Sequence, residues 1–455
     1  MPPPAQRRGG QNLARPRYLH LHHLPAGRLP GGMFHQLPRQ TARLDLLKPH
    51  LRKALKRNYP MPTVTIRKVT GQEKALAVYH TAVYAYGATP PMPEREKWIA
   101  ENLKDGEERC LAVYEDDRPA AVLFYTPMKQ NVRGKITWMG AVAGVASAPE
   151  TRRKGYVRQG LTAAYAEMRA EGIPVSGLYP FRESFYERLG YVSFTCPVQV
   201  KLPTSALAPL LKQDLGGSVE RIPALEGLDV YRAYLQAMRE RVHGMAVADG
   251  ELEEKLQDSH TWMLLVRESD QVTGIMLYRI VEEARWKKVF DVRRFYYTTP
   301  LARARLLEWI ARHVDQVEKA EIFLPPWEQP QLWMVDLKPA LEFSLAHPPM
   351  GRVIDLSGLN DIPAGEGSFT VQVKDPYCPW NEGVWRFASA GGALVVSCGG
   401  SADGAVSIQG LSAWLYGSID PADFALRGWG NLSPEVIAAM RAMLPPRPAY
   451  MHEFY

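Results

Sequence analysis

The sequence predicts an α+β protein of several domains, and three observations carry the prediction. The chain has 455 residues, more than the roughly 100–200 of a single domain. From Met61 onward, runs with helical apolar spacing alternate with short β-branched and aromatic runs. One such run, Val142–Ser147, passes through Ala148-Pro149-Glu150 into three cations, Arg152, Arg153 and Lys154, against Gly155. That is a strand delivering the chain to a helix N-terminus.

Composition narrows the classes. Residues 1–60 hold twelve Lys and Arg and one acid, Asp45, whereas the remainder holds 43 basic and 47 acidic residues. The net charge of +7 thus belongs to a Pro/Gly-rich opening segment without helical or strand period, read as an unstructured basic extension. A nucleic-acid binder needs its basic patch on the folded part, so nucleic acid is not an expected partner. No apolar run reaches the length of a membrane span, so no membrane partner is expected either. Cys110, Cys196, Cys378 and Cys398 lie far apart, which fits neither a zinc site nor a disulfide scaffold and suits a reducing cytoplasm. His20, His22 and His23 have no acids or cysteines beside them, and no metal is expected.

In order, "TVTIRKV" reads as a strand, and "QEKALAVYHTAVYAYG" and "PEREKWIAENL" as helices. "CLAVYEDDRPAAVLFYTP" reads as a hairpin about Asp116–Pro119. "KITWMGAVAGVAS" alternates poorly and is expected to be buried on both faces. "VRQGLTAAYAEMRAEG" places Val157, Leu161, Ala164, Tyr165 and Met168 on one helical face and stops at Gly172. A strand "VSGLYP", a short helix "RESFYERLG" and a strand "YVSFTCPVQVKL" follow.

This order resembles the GCN5-related N-acetyltransferase (GNAT) fold, and Arg152-x-x-Gly155-x-Val157 resembles its pyrophosphate loop, with Val157 where Gly or Ala is usual. With "LYPFRESFYERLGYVSF", Leu178–Phe194, the chain resembles the Eis (enhanced intracellular survival) acetyltransferases. The resemblance implies two GNAT-like domains, 61–200 and 201–343, then a sterol-carrier-protein-like domain, 344–455, and a homo-oligomer. The second domain has Thr299-Pro300-Leu301-Ala302-Arg303 at the loop position, without glycine, and no cofactor is expected there.

Backbone N–H groups at a helix N-terminus attract phosphate, and glycine admits it closely. The resemblance therefore implies that acetyl-CoA is held by Val145, Ala146 and Ser147 on the strand and by Arg152, Arg153, Lys154, Gly155, Tyr156 and Val157 on the loop. It implies catalytic roles for Tyr191 as proton donor and for the α-carboxylate of Tyr455 as base. The mildly acidic body favours a cationic amine acceptor, such as an aminoglycoside, a lysine side chain or a polyamine, with Glu94, Glu96 and Trp98 as lining candidates. The rival reading is a lipid-binding or scaffold protein using the sterol-carrier-like domain.

Overall fold

The computed structural model describes residues 62–87, 89–103, 105–248, 256–257, 260–285 and 287–451. The basic segment 1–60 and Tyr455 lie outside the described residues.

The first sheet begins as a meander of β1 (Val64–Val69), β2 (Arg109–Glu115), β3 (Arg118–Val132) and β4 (Lys135–Ser147). Asp116 and Asp117 turn the β2–β3 hairpin with positive φ angles of 48° and 61°, the backbone that short acidic turn residues tolerate. Helices α1 (Gly71–Val78), continued by a π-turn at Tyr79–Val83, and α2 (Arg95–Glu101) occupy the β1–β2 connection. After β4 comes α3 (Tyr156–Ala170), which crosses over to β5 (Val175–Leu178), parallel to β4. Gly160 lets α3 lie close on the sheet, since a Cβ there would sit 2.8 Å from Leu123. A short α4 (Glu183–Glu187) and β6 (Val192–Ser193) follow.

The second sheet uses β7 (Val198–Pro203) and β8 (Ser218–Pro223), with α5 (Leu228–Arg241) after them. Then β9 (Ala246–Val247) leaves to pair with β3 of the first sheet. β10 (Trp262–Glu268), β11 (Gln271–Ala284) and β12 (Lys287–Tyr297) repeat the meander, α6 (Pro300–Ala311) crosses over, and β13 (Lys319–Leu324) and β14 (Glu342–Leu345) complete the order β14-β7-β13-β12-β11-β10-β8.

The next strand changes the domain picture. β15 (Met350–Val353) falls within the expected third domain, yet it inserts between β5 and β6 of the first sheet. Beyond it, β16 (Ser368–Lys374), β17 (Gly383–Ala390), β18 (Ala393–Cys398), β19 (Ala405–Ser407) and β20 (Gly430–Asn431) form a third sheet. It packs on α7 (Ile408–Tyr416) and α8 (Pro434–Met443). Phe369 and Phe387 stack at 4.9 Å and meet Trp414 edge-on, and this aromatic core is continuous with Met128, Val132 and Phe194 of the first domain.

Candidate active site

The strand-to-helix passage takes the expected form. Pro149–Thr151 makes one 3-10 turn, pinned where the Thr151 hydroxyl donates to the carbonyl of Ala120 at 2.7 Å. Arg153 and Gly155 then adopt left-handed φ angles of 65° and 86°, a backbone course that turns N–H groups into an anion-binding concavity. No side chain caps α3. A Cβ on Gly155 would stand 3.1 Å from the guanidinium of Arg158, so that cation lies back over the loop.

The loop cations are not equivalent. Lys154 Nζ donates to both carboxylate oxygens of Glu115, at 2.7 and 2.8 Å, and the Tyr156 hydroxyl donates to the same carboxylate at 2.8 Å. The Lys154 bond, then that of Tyr156, holds the Glu115 carboxyl below the ordinary range, while burial and Glu115 push Tyr156 up to about 12. Lys154 is thereby engaged with the sheet. Arg152 and Arg153 are exposed and have no ion pair among the described residues. Tyr156 and Val157 turn their side chains toward the core, leaving their main chain to the loop.

The corresponding helix of the second domain is capped by a side chain. At the start of α6, Thr299 accepts from the Ala302 N–H at 3.0 Å and donates to Glu268, which also receives Thr273 at 2.7 Å. The hydrogen bonds from Thr299 and then Thr273 keep the Glu268 carboxyl below the ordinary range. In the first domain Glu115 takes Lys154 and Tyr156 at the start of α3, while Arg152 and Arg153 have no ion pair among the described residues. The residues there fit a pyrophosphate.

Just before the loop the sheet opens. β4 pairs with β5 only over Met139–Val142, so from Ala143 to Ser147 it has β3 on one side and, among the described residues, no strand on the other. Burial on both faces accordingly holds only for Met139–Val142. Within the open part the β3–β4 register slips between Val122 and Phe124, a bulge at Gly144, whose φ is +58°. Bulges re-aim the backbone beside active sites. The Tyr86 hydroxyl reaches the carbonyl of Val145 at 3.4 Å. Ala146 is buried against the sheet, whereas Val145 and Ser147 are half-buried.

Two tyrosines stand behind this opening. Tyr191 is fully buried. Its hydroxyl is 2.8 Å from Ser176 Oγ, which is also 2.8 Å from the Gly140 carbonyl, so the phenol has a buried hydrogen-bond partner. Burial raises the Tyr191 pKa against the opposing pull of Ser176 and Arg352. Tyr186, on α4, packs edge-on to Tyr191 at 6.0 Å and to Phe185 at 5.0 Å. Burial, then Tyr191 and Tyr86, raise its pKa. Its hydroxyl has no hydrogen-bond partner among the described residues. Spacing alone cannot separate the two tyrosines of Phe185-Tyr186-x-x-x-Gly190-Tyr191, and the structure gives the free hydroxyl to Tyr186.

Other expected groups fall as follows. Met451, the last described residue, is buried, and its carbonyl accepts from the Tyr179 hydroxyl at 3.3 Å, one residue past the end of β5. Glu94 and Glu96 are exposed, and Trp98 packs on Tyr79 at 5.6 Å. Arg158, which the sequence reading missed, is recognisable afterwards as the cation three residues beyond Gly155. A groove of about 500 Å³ runs from it along α3, past Gln159 and Thr162, to Ile66 and Tyr377.

A strand that opens beside a bulge, an uncapped helix end and free cations fit an acetyl-CoA-dependent N-acetyltransferase, and the family matches show that class. Residues 65–193 and 242–353 each match an acetyltransferase (GNAT) domain family, and residues 357–452 match a sterol carrier protein domain family. The chain belongs to the GNAT N-acetyltransferases, in the Eis-like arrangement of tandem GNAT domains followed by a sterol-carrier-protein-like domain. An uncharacterised N-acetyltransferase of Streptomyces coelicolor is 23% identical over 400 residues, covering 77% of this chain and 90% of the relative. A conserved protein of unknown function from Enterococcus faecalis shares the fold with a TM-score of 0.76 at 20% identity, over 87% of this chain and all of the other. Eis1 from Mycobacterium abscessus does so with 0.70 at 18% identity, over 86% and 100%.

Proposed function

We propose that this enzyme acetylates a primary amine of a cationic acceptor at the open end of β4 and β5. The single observation that carries the reading is continuity. The strand freed from its neighbour at Ala143 runs directly into the uncapped helix end that Arg152 and Arg153 flank. Acetyl-CoA supplies the thioester. Backbone N–H groups from Arg153 to Val157, with both arginines and Arg158, would hold its pyrophosphate, and the groove along α3 has room for the nucleotide end. The main chain of Val145, Ala146 and Ser147 would align the pantetheine arm.

Transfer breaks the thioester C–S bond, forms an amide C–N bond and moves one proton from the amine and one to the sulfur. Tyr186 is proposed as the donor to sulfur. Its raised pKa keeps the phenol protonated at neutral pH. The carboxylate of Tyr455 is proposed to receive the amine's proton, on the support that Met451 is already seated beside the end of β5. The acidic balance outside residues 1–60 favours aminoglycosides, lysine side chains or polyamines as acceptors. Mass spectrometry of an amine panel incubated with isotopically labelled acetyl-CoA tests the reading. Label on a cationic amine supports it, and label on none sinks it.

A further inference from the structure

We propose that Arg352 is a positioning residue for acetyl transfer, through which the sterol carrier protein domain holds the proton donor in place. The inference rests on the reading of Tyr186 given above.

Arg352 lies on β15, between the strands of the first sheet, and is wholly buried. Its guanidinium faces two ways. Toward the third domain, Nη2 pairs with Asp375 at 2.7 Å. Asp375, also wholly buried, is fixed in turn by Asn381 Nδ2 at 3.0 Å and by the N–H groups of Tyr377 and Cys378. Toward the first domain, Nη1 donates to the carbonyl of Leu189, and the guanidinium carbon stands 4.3 Å over the ring of Tyr165.

Leu189 belongs to the turn that ends α4. Its N–H and that of Tyr191 both donate to the carbonyl of Tyr186, at 2.9 and 3.2 Å. The last carbonyls of a helix have no partner within the helix, and an outside donor that binds them fixes the end. Here the outside donors are Arg352, on Leu189, and Gln409 of α7, on Glu187 at 3.0 Å. Gly190 makes the approach possible. It has a φ of +95°, and a Cβ there would lie 2.8 Å from Arg352 Nη1 and 3.0 Å from Ile408. The chain of contacts Asp375–Arg352–Leu189–Tyr186 thus runs from the third domain to the main chain that carries the Tyr186 ring. A helix of five residues is too short to hold a ring in register unaided, and small misplacements of reacting groups are costly.

A double-mutant cycle in the full chain tests this. Arg352→Met/Asp375→Leu replaces the buried pair by apolar groups, a change that folded proteins tolerate better than loss of one partner. We expect kcat to fall about tenfold or more with acetyl-CoA affinity within about twofold of wild type, because the phenol and not the cradle is displaced. In a Tyr186→Phe background the same pair should cost less than about twofold, since no phenol remains to be positioned. An equal loss in both backgrounds, or none in the wild-type background, overturns the proposal. Should the pair not fold, Gly190→Ala displaces Arg352 directly and is read by the same cycle. Tyr186→Phe with wild-type turnover would instead overturn the assignment of the donor, and this proposal with it.

Discussion

The hydroxyl of Tyr179 donates to the main-chain carbonyl of Met451 at 3.3 Å, joining the end of β5 to a residue 272 positions later in the chain. Ala449, Tyr450 and Met451 are all buried, and the Tyr450 N–H is bound by the carbonyl of His243 at 2.9 Å. The third domain therefore returns to the place where β4 and β5 part. On the proposed role of a carboxylate at Tyr455, residues added after it would turn that group into a neutral amide. A C-terminal tag should abolish turnover in a radiolabelled acetyl-transfer assay while leaving acetyl-CoA binding intact. The same tag placed before Met61 should do neither, and full turnover in the extended protein would remove Tyr455 from the mechanism.

The loop cations should separate by their partners. Arg152→Ala/Arg153→Ala removes two free charges, and acetyl-CoA binding should weaken by about 1–3 kcal/mol, the scale of charge-assisted hydrogen bonds. Lys154→Ala removes a cation already paired with Glu115 and should cost less. Gly155→Val should weaken binding as the double mutant does, because a φ of +86° excludes a β-branched residue. Isothermal titration calorimetry reads all three, and equal losses for Lys154 and the arginine pair would contradict the charge assignment.

Tyr186→Phe and Tyr191→Phe should part in opposite ways. The first removes a free hydroxyl and should lower kcat by about 10²-fold with little change in melting temperature. The second leaves Ser176 short of a buried partner, so it should cost about 1–3 kcal/mol of stability and little turnover. Steady-state kinetics beside thermal melts would show which residue donates the proton. A 10²-fold loss at Tyr191 alone would reverse the assignment.

What was legible in the sequence was local. The passage from Val142 to Leu161 announces itself because strand, turn, glycine and cations are consecutive, and the glycine-free start of α6 is distinguishable from it for the same reason. What was not legible depends on distant chain. "MGRV" reads as the opening of a third domain, and only its ladders with β5 and β6 place it in the first sheet. The pairing of Lys154 with Glu115 spans 39 residues, and no local pattern separates that cation from its two neighbours. The two tyrosines share one motif, and only the fold shows that the Tyr191 hydroxyl meets Ser176, which is the ground for proposing Tyr186 as donor. Arg352 lies in an unremarkable strand, and its ion pair with Asp375 joins parts of the fold that only packing brings together.

The junction of the three domains should carry a pH dependence of stability. The ring of His243 is buried, accepting the Arg133 N–H at Nδ1 at 3.0 Å and donating from Nε2 to the Tyr416 carbonyl at 3.2 Å. Burial first, then the cations Arg133 and Arg447, lower its pKa to about 3. An unfolded histidine titrates near 6.5. Between those values the unfolded chain binds a proton that the folded one refuses, so stability rises with pH. This contribution is complete above about pH 6.5 and is lost progressively as the pH falls toward 3. Over the first unit and a half below 6.5 the loss amounts to about 2 kcal/mol. His243→Gln keeps one acceptor and one donor and cannot be charged. Its melting temperature should therefore decline less than that of wild type between pH 7.5 and 5, measured by differential scanning calorimetry in matched buffers. Parallel declines would mean that His243 is not the group responsible, and that the carboxylates elsewhere in the chain set the acid limb.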